Sequence, residues 1–410
     1  MVDYRVFFCI WSAAVIAQCC GSTLDGFSPE LITALAIVAL LGSIFYNWLW
    51  RLIVFLLVWF SGAISLMSPA TPLPATYLAA FCLWAMVHTS PVLSLPFFGF
   101  RKPMPVTGAI FVTGCDSGMG FWTAALLADI GYTVFAGCFN LDESEAKLKA
   151  KCASPEAAEK RLKCVKLDVT DDKSVAAATA VVKAQKVPLV GIINCAGVGF
   201  NGPGEYFPMA TYKRQMDVNF FGYVRVVQAL MPLLRTGVER ADRRGRVVFI
   251  GTGGGVFSPA PPLLSAYMAS KWAIEAFCGS FRFEMQLKRL PIDACVLNPG
   301  FVKPTQLMEI GLKMKDKMWK DCKELNGGSN IAEDEYGAML QTFIEFSGKE
   351  EGTHVSEVAK TMAQIMAAHR PNAMYKVGPD SKATPVVGLL PTAIKEFIVK
   401  KQVYNMIGST

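Results

Sequence analysis

The chain has 410 residues, a formal net charge of +7, 52% hydrophobic residues and a mean hydropathy of +0.35. That length allows one large α/β domain plus about a hundred residues of another kind, and that hydropathy is high for a soluble enzyme. The twelve cysteines are scattered without a Cys-x-x-Cys pair or a histidine at metal spacing, and no Lys/Arg block is interleaved with aromatics, so metal and nucleic-acid partners are excluded as readings.

The apolar excess lies before Arg101, where Arg5 and Arg51 are the only Arg or Lys residues. Residues 6–20 read as a signal peptide or a signal anchor, and the apolar spans directly after them favour the anchor. The run 31–67 is roughly twice too long for one bilayer crossing. Two spans meeting near residues 46–51 fit it, with Tyr46, Trp48 and Trp50 at the headgroup level. Residues 77–95 make a third or fourth span whose end Pro91 and Pro96 break. The pair Arg101-Lys102 then places the remainder of the chain on the cytosolic side. The expectation is a helical membrane anchor over residues 1–104.

The next stretch is Ala109-Ile-Phe-Val-Thr-Gly-Cys-Asp-Ser-Gly-Met-Gly120. The apolar run 109–112 reads as a buried parallel strand, and residues 119–130 as a helix. Between them Gly114, Gly118 and Gly120 let the backbone turn tightly towards a pyrophosphate, at which the helix start aims free N–H groups and its positive dipole end. Strand 133–137 completes the first βαβ unit. A ribose ligand is expected just past it, in Cys138-Phe-Asn-Leu-Asp142, where Asn140 and Asp142 are the candidates. No Arg or Lys stands there or in the glycine turn to accept a 2′-phosphate, which favours NAD over NADP.

A charged helical run over 143–160, interrupted by Pro155, leads to strand 162–167. The strand ends in Asp168-Val169, where a carboxylate and a backbone N–H suit an adenine edge; Asp168 as a helix N-cap is the competing reading. Strand 190–194 runs into Asn194-Cys-Ala-Gly197, a second glycine-marked turn on the nicotinamide side. Asn219 falls within a long helical pattern, as a structural hydrogen-bonder or as part of a polar relay. Strand 245–251 is followed by Thr252-Gly-Gly-Gly255, and Tyr267-Met-Ala-Ser-Lys271 opens another helix. Tyr and Lys four apart share a helix face, where an ammonium lowers the phenol pKa from about 10. A general acid/base for an alcohol/carbonyl pair needs that shift.

With the Thr113-Gly-x-x-x-Gly-x-Gly120 turn, Asn219 and Tyr267-x-x-x-Lys271 in this order, the chain resembles the short-chain dehydrogenase/reductase family over residues 105 to 400. The stretches Val134-Phe-Ala-Gly137, Val218-Asn-Phe-Phe-Gly222, Ile274-Glu-Ala-Phe277, Phe283-Glu-Met285, Asn298-Pro-Gly300, Tyr375-x-x-Gly378 and Leu390-Pro-Thr392 are similar to the branch of retinol, 17β-hydroxysteroid type 2, 11β-hydroxysteroid type 2 and 3-hydroxybutyrate dehydrogenases. The resemblance implies an α/β, doubly wound parallel sheet of Rossmann type over 105–380, with a lid insert at 303–350 and an amphipathic tail at 381–410.

Carried over by position, Tyr267 would be the acid/base, Lys271 would lower its pKa and hold the nicotinamide ribose, and Asn219 would hold a water linking Lys271 to solvent. Thr113, Gly114, Ser117, Gly118, Met119 and Gly120 would form the pyrophosphate turn. Asp168 and Val169 would meet the adenine, with Asn194, Ala196 and Gly197 in the second turn. Pro299 and Gly300 would pass the nicotinamide, and Thr305 would bind its carboxamide. Three departures stand out. Gly254 occupies the place of the family serine, which leaves Thr252 or Ser258 as its substitute; Thr252 is preferred because it follows the strand. Cys195 replaces a polar residue, and the spacing from Pro299 to Thr305 is longer by one.

The implied function is a membrane-anchored oxidoreductase moving a hydride between NAD (NADP less favoured) and an alcohol on a lipophilic substrate of steroid or retinoid class. The alternatives are a 3-hydroxybutyrate-type hydroxy-acid dehydrogenase and a degenerate cofactor-binding scaffold. Met308, Met314, Met318, Trp319 and Phe343 line the pocket or form the lid's own core. A homodimer, the lipid bilayer as partner, and the endoplasmic reticulum ahead of a mitochondrial membrane are expected by the same analogy.

Overall fold

The computed structural model describes residues 104, 106–253, 260–305, 314–349, 352–382 and 392–407. All belong to the second of two compact units, residues 101–410. The membrane spans expected within residues 1–104 lie almost entirely outside the described residues. Among the described residues no helix is long and apolar enough to cross a membrane.

Strand β1 (Ala109–Thr113) is apolar on both faces and fully buried. Helix α1 (Gly118–Asp129) follows it, then β2 (Thr133–Cys138), α2 (Leu141–Lys151) and β3 (Leu162–Lys166). The charged run after β2 is therefore not one helix. It stops at Lys151, and a π-turn over Ala157–Arg161 leads into β3. The chain then crosses back through α3 (Asp172–Ala184) to β4 (Leu189–Asn194).

Helix α4 (Met209–Met216) is joined to α5 (Gly222–Arg240) by a π-turn over Asp217–Phe221, so the long helical pattern around Asn219 is broken at that residue. Next come β5 (Gly245–Ile250), α6 (Ser265–Leu287), β6 (Ile292–Pro299) and the two-residue β7 (Val302–Lys303). Helices α7 (Lys315–Leu325) and α8 (Ile331–Lys349) fall where the lid insert is expected. They are followed by β8 (Thr353–His354), α9 (Val355–Ala367), β9 (Met374–Val377) and α10 (Thr392–Ile407).

Seven parallel strands order as β3-β2-β1-β4-β5-β6-β9. Helices cover both faces, so the strands read as near-continuous apolar runs. On one face α3, α5 and α6 pack through Val175, Tyr223, Leu230 and Phe281 against Phe111, Ile192, Val247 and Phe249. On the other, α1 and α9 pack through Leu127 and Met362 against Ile110, Val134 and Val248. The one charged residue pointing inward from β5 is Arg246, which is fully buried and paired with Asp293 at 2.5 Å. The order reverses between β1 and β4, and a ligand crevice opens outside the carboxyl ends of the strands at such a reversal.

The lid has a small core of its own. Met318, Trp319 and Cys322 of α7 and Leu340 of α8 bury against Phe200, Phe207 and Leu263. Of the five lid residues named from sequence, Met318 and Trp319 are thus core, Met314 packs against that core, Met308 lies outside the described residues, and Phe343 also reaches the cleft.

Candidate active site

A cleft of about 1630 Å³ runs along the carboxyl edge of the sheet at the β1/β4 reversal. Its floor begins with the glycine turn. Gly114 has φ +67°, where an L side chain is strained and a Cβ would lie 2.7 Å from Ala196 Cα. A Cβ on Gly120 would overlap the carbonyl oxygen of Gly114, so only glycine lets α1 start this close to β1. Gly114, Ser117, Gly118, Met119 and Gly120 all face the cleft, and α1 carries no acidic residue in its first turn to oppose an anion.

Thr113 does not face the cleft. It is fully buried, and its hydroxyl accepts the backbone N–H groups of Cys195 and Ala196, both at 3.0 Å. Asn194 is likewise behind the wall, its amide donating to Val248 O at 3.4 Å. Both residues stand behind the lining, while Ala196 and Gly197 form the wall itself.

At the adenosine end the wall carries Asn140, Asp168 and Val169. Asp142 is an exposed residue in the first turn of α2 and is not among the cleft-lining residues. Asp168 is not the N-cap of α3. That cap is Asp171, which accepts from Lys173 N, whereas Asp168 Oδ1 accepts from Thr170 N and Thr170 Oγ1. Sequence reasoning missed Asp116. Its carboxylate leaves the glycine turn and accepts Phe139 N at 2.8 Å, Asn140 N at 2.7 Å and Ser144 Oγ at 3.0 Å. An acid from the glycine turn thus stands at the end of β2. Its presence in the loop was visible, but its reach across 24 residues was not.

At the other end α6 presents Tyr267 and Lys271 to the cleft, with Thr252 at the end of β5 and Pro299, Gly300 and Thr305 beyond β6. Thr252 stands near enough to the Tyr267 phenol to oppose the rise of its pKa; the other hydroxyl considered, Ser258, lies with Gly254 outside the described residues. Lys271 Nζ donates to Ile250 O at 2.9 Å and sits 5.7 Å from the centre of the Tyr267 ring.

The electrostatics depart from the expectation of an acidified phenol. Burial pushes Tyr267 up to about 12, with the nearby Thr252 hydroxyl as the opposing influence, and burial brings Lys271 down to about 8. Desolvation is the larger influence on both groups. Burial also raises Cys195 to about 12, which makes it a packed thiol and not a nucleophile.

Asn219 does not reach the cleft. Its Oδ1 accepts from Val198 N at 2.9 Å, and its amide donates to Val198 O and Ser270 Oγ at 3.0 and 3.1 Å. Both amide donors are spent inside the protein, tying the second glycine turn to α6.

A tyrosine–lysine pair on one helix, a strand-end hydroxyl and a glycine cradle on a doubly wound sheet have counterparts among known proteins. The model of the short chain dehydrogenase family matches residues 108–315. The chain belongs to the short-chain dehydrogenase family. It is 32% identical over 282 residues to mouse mitochondrial D-beta-hydroxybutyrate dehydrogenase, covering 65% of this chain and 76% of that one. It is 30% identical over 308 residues to mouse estradiol 17-beta-dehydrogenase 2, covering 72% of this chain and 75% of that one. The structure of a short chain dehydrogenase/reductase from Burkholderia phymatum in complex with NAD superposes with a TM-score of 0.55 at 18% identity, over 72% of this chain and 95% of that one. The enzyme is thus an NAD(P)-dependent oxidoreductase with the family's Rossmann-type sheet. Its cradle fits a dinucleotide on its own evidence: two positive-φ glycines, a helix start free of acid, and a Cβ-free approach at Gly120.

Proposed function

We propose that this enzyme is a membrane-anchored dehydrogenase that oxidises or forms an alcohol on a lipophilic substrate of steroid or retinoid class, using NAD. The carrying observation is that Thr252, Tyr267 and Lys271 meet at one end of a single cleft whose other end is the glycine cradle. NAD, when bound, supplies the hydride acceptor. Tyr267 takes the alcohol proton, Thr252 holds the substrate oxygen beside it, and Lys271 steadies the phenolate and the ribose.

A lipophilic substrate is favoured by the outer wall, where Met209, Pro261, Leu264, Met268 and Phe343 give apolar surface. NAD is favoured by the Asp116 carboxylate beside Asn140, which would repel a 2′-phosphate. Thr113, Asn194 and Asn219 act in this reading as supports of the cradle. The bilayer as partner and the endoplasmic reticulum, ahead of mitochondria, rest on the apolar first hundred residues.

A second reading has its own support. Lys213 and Arg214 of α4 also stand in the cleft wall, which supplies the cation that a hydroxy-acid carboxylate needs, and the identity to the D-beta-hydroxybutyrate dehydrogenases points the same way. Purified full-length protein given NAD with a steroid alcohol, retinol or 3-hydroxybutyrate decides between them by NADH formation, with Tyr267→Phe as control. Cofactor binding without turnover on any of the three, and no effect of that control, leaves the scaffold reading.

A further inference from the structure

Glu275 is a half-buried carboxylate that the proposed chemistry leaves unused. It lies on α6 one turn beyond Lys271, over the strand pair β6 and β9, where Asn298 and Lys376 stand side by side. Asn298 is 1% exposed, and its Nδ2 donates to Glu275 Oε1 at 2.5 Å. Burial pushes the Glu275 carboxyl up, and the Asn298 hydrogen bond and the Lys376 and Arg282 cations oppose that.

The rest of Asn298 is engaged with backbone at the nicotinamide end. Its Oδ1 has no hydrogen-bond partner among the described residues and occupies the space where a Cβ on Gly251 would be. Its own carbonyl accepts Ser381 Oγ at 2.6 Å. Gly251 N donates to Leu297 O at 2.9 Å and Gly253 N to Pro299 O at 2.6 Å, so the two strand ends are laced together around this side chain. One of those ends carries Thr252, and the other carries Pro299 and Gly300. An amide with one unpartnered oxygen is free to turn over unless its nitrogen is held, and Glu275 is what holds it.

We propose that Glu275 is a positioning residue for hydride transfer: through Asn298 it sets the spacing between the Gly251–Thr252 strand end and the Pro299–Gly300 turn. What is required of it is an acceptor oxygen at the correct reach, not its charge. This rests on the dehydrogenase reading.

The test uses full-length Glu275→Gln, Glu275→Asp and Glu275→Leu beside the exposed control Glu284→Gln, with NAD and whichever alcohol of the three the wild type turns over fastest. Gln keeps the acceptor and its reach, Asp keeps the charge and loses the reach, and Leu loses both. The expected result is a kcat lowered about tenfold or more in Asp and Leu with the KM for NAD changed less than about threefold, and Gln within about threefold of wild type. A purely structural role lowers thermal stability without that split and without rescue by Gln.

If Leu does not fold, the order of Gln against Asp decides. Gln above Asp supports the proposal, and Asp equal to or above Gln overturns it, as does wild-type kcat in Leu. The emission of bound NADH is read on the same proteins. It tests the arrangement even where wild type turns over none of the alcohols: Asp is expected to move the emission towards that of free NADH and Gln to leave it in place, and no change in Asp overturns the proposal. A wild type that binds no NADH fails the dehydrogenase reading itself.

Discussion

Lys271 is buried and Tyr267 half-buried at the same end of the cleft, and desolvation drives each towards its neutral form. The consequence for stability takes its sign from linkage. With a folded pKa of about 8 against an ordinary value near 10.5, Lys271 binds fewer protons folded than unfolded between those values, so its burial penalty is full below pH 8 and is relieved as pH rises towards 10.5. Tyr267, held at about 12, works the other way and costs stability between about 10 and 12. In cofactor-free protein, Lys271→Met should therefore be favoured over wild type at pH 7 by an amount that shrinks by about 3 kcal/mol on going to pH 10.5. Paired denaturant titrations at the two pH values measure it, and a constant difference refutes the buried-ammonium account. For catalysis, Tyr267→Phe should lower kcat about 10³-fold while NADH still binds. Thr252→Ala should cost about tenfold by removing the hydroxyl beside the Tyr267 phenol, with Thr252→Ser restoring it.

The glycine turn and the start of α2 are separate elements in sequence and one unit in space, because Asp116 holds both Phe139 N and Asn140 N. Asp116→Asn keeps one acceptor, loses the charge and sets an amide against backbone N–H groups. The expected outcome is a fall of about tenfold or more in the ratio of kcat/KM for NAD over NADP, since a 2′-phosphate no longer meets a carboxylate. An unchanged ratio removes Asp116 from cofactor choice.

Elements of this kind also show how much is legible in the residues alone. Strands β1, β2, β4 and β5 are readable as short apolar runs beside glycine signals, and the turn at 113–120 and the pair Tyr267–Lys271 as local spacings. Contacts between distant turns are not. Thr113 and Asn194 look like cofactor ligands in a motif, yet their polar atoms are needed by backbone 82 and 54 residues away. Asn219 reads as a structural hydrogen-bonder or a relay, and the spacing does not show that a π-turn aims its side chain at Val198 and Ser270. The phenol pKa is misread from sequence because the spacing of Tyr and Lys shows their proximity and says nothing of how far both are removed from water.

For the whole molecule, the long helix α6 links the chemistry to a surface. Its inward face carries Lys271, Ile274 and Phe281, and its outward face carries Trp272, Phe283 and Leu287 at 38%, 59% and 83% exposed. These outward residues recur at helical spacing, with Ala276 and Gly279 between them, and nothing stands within 4 Å of a Cβ built on Gly279. A row of large apolar side chains around small ones invites a second helix at close approach. Phe221, 48% exposed beside the Asn219 π-turn, adds to the apolar surface. A homodimer through this face is a prediction, in which each copy would brace the other's Tyr267 helix. Phe283→Glu combined with Leu287→Glu should convert the dimer to monomer in sedimentation velocity of the detergent-solubilised protein. Because those residues lie on the side of α6 away from the cleft, NADH should still bind the monomer while kcat falls through a looser Tyr267–Thr252 contact. Wild-type protein that sediments as a monomer at micromolar concentration, or a double variant that stays dimeric, would show that α6 faces something other than its own copy.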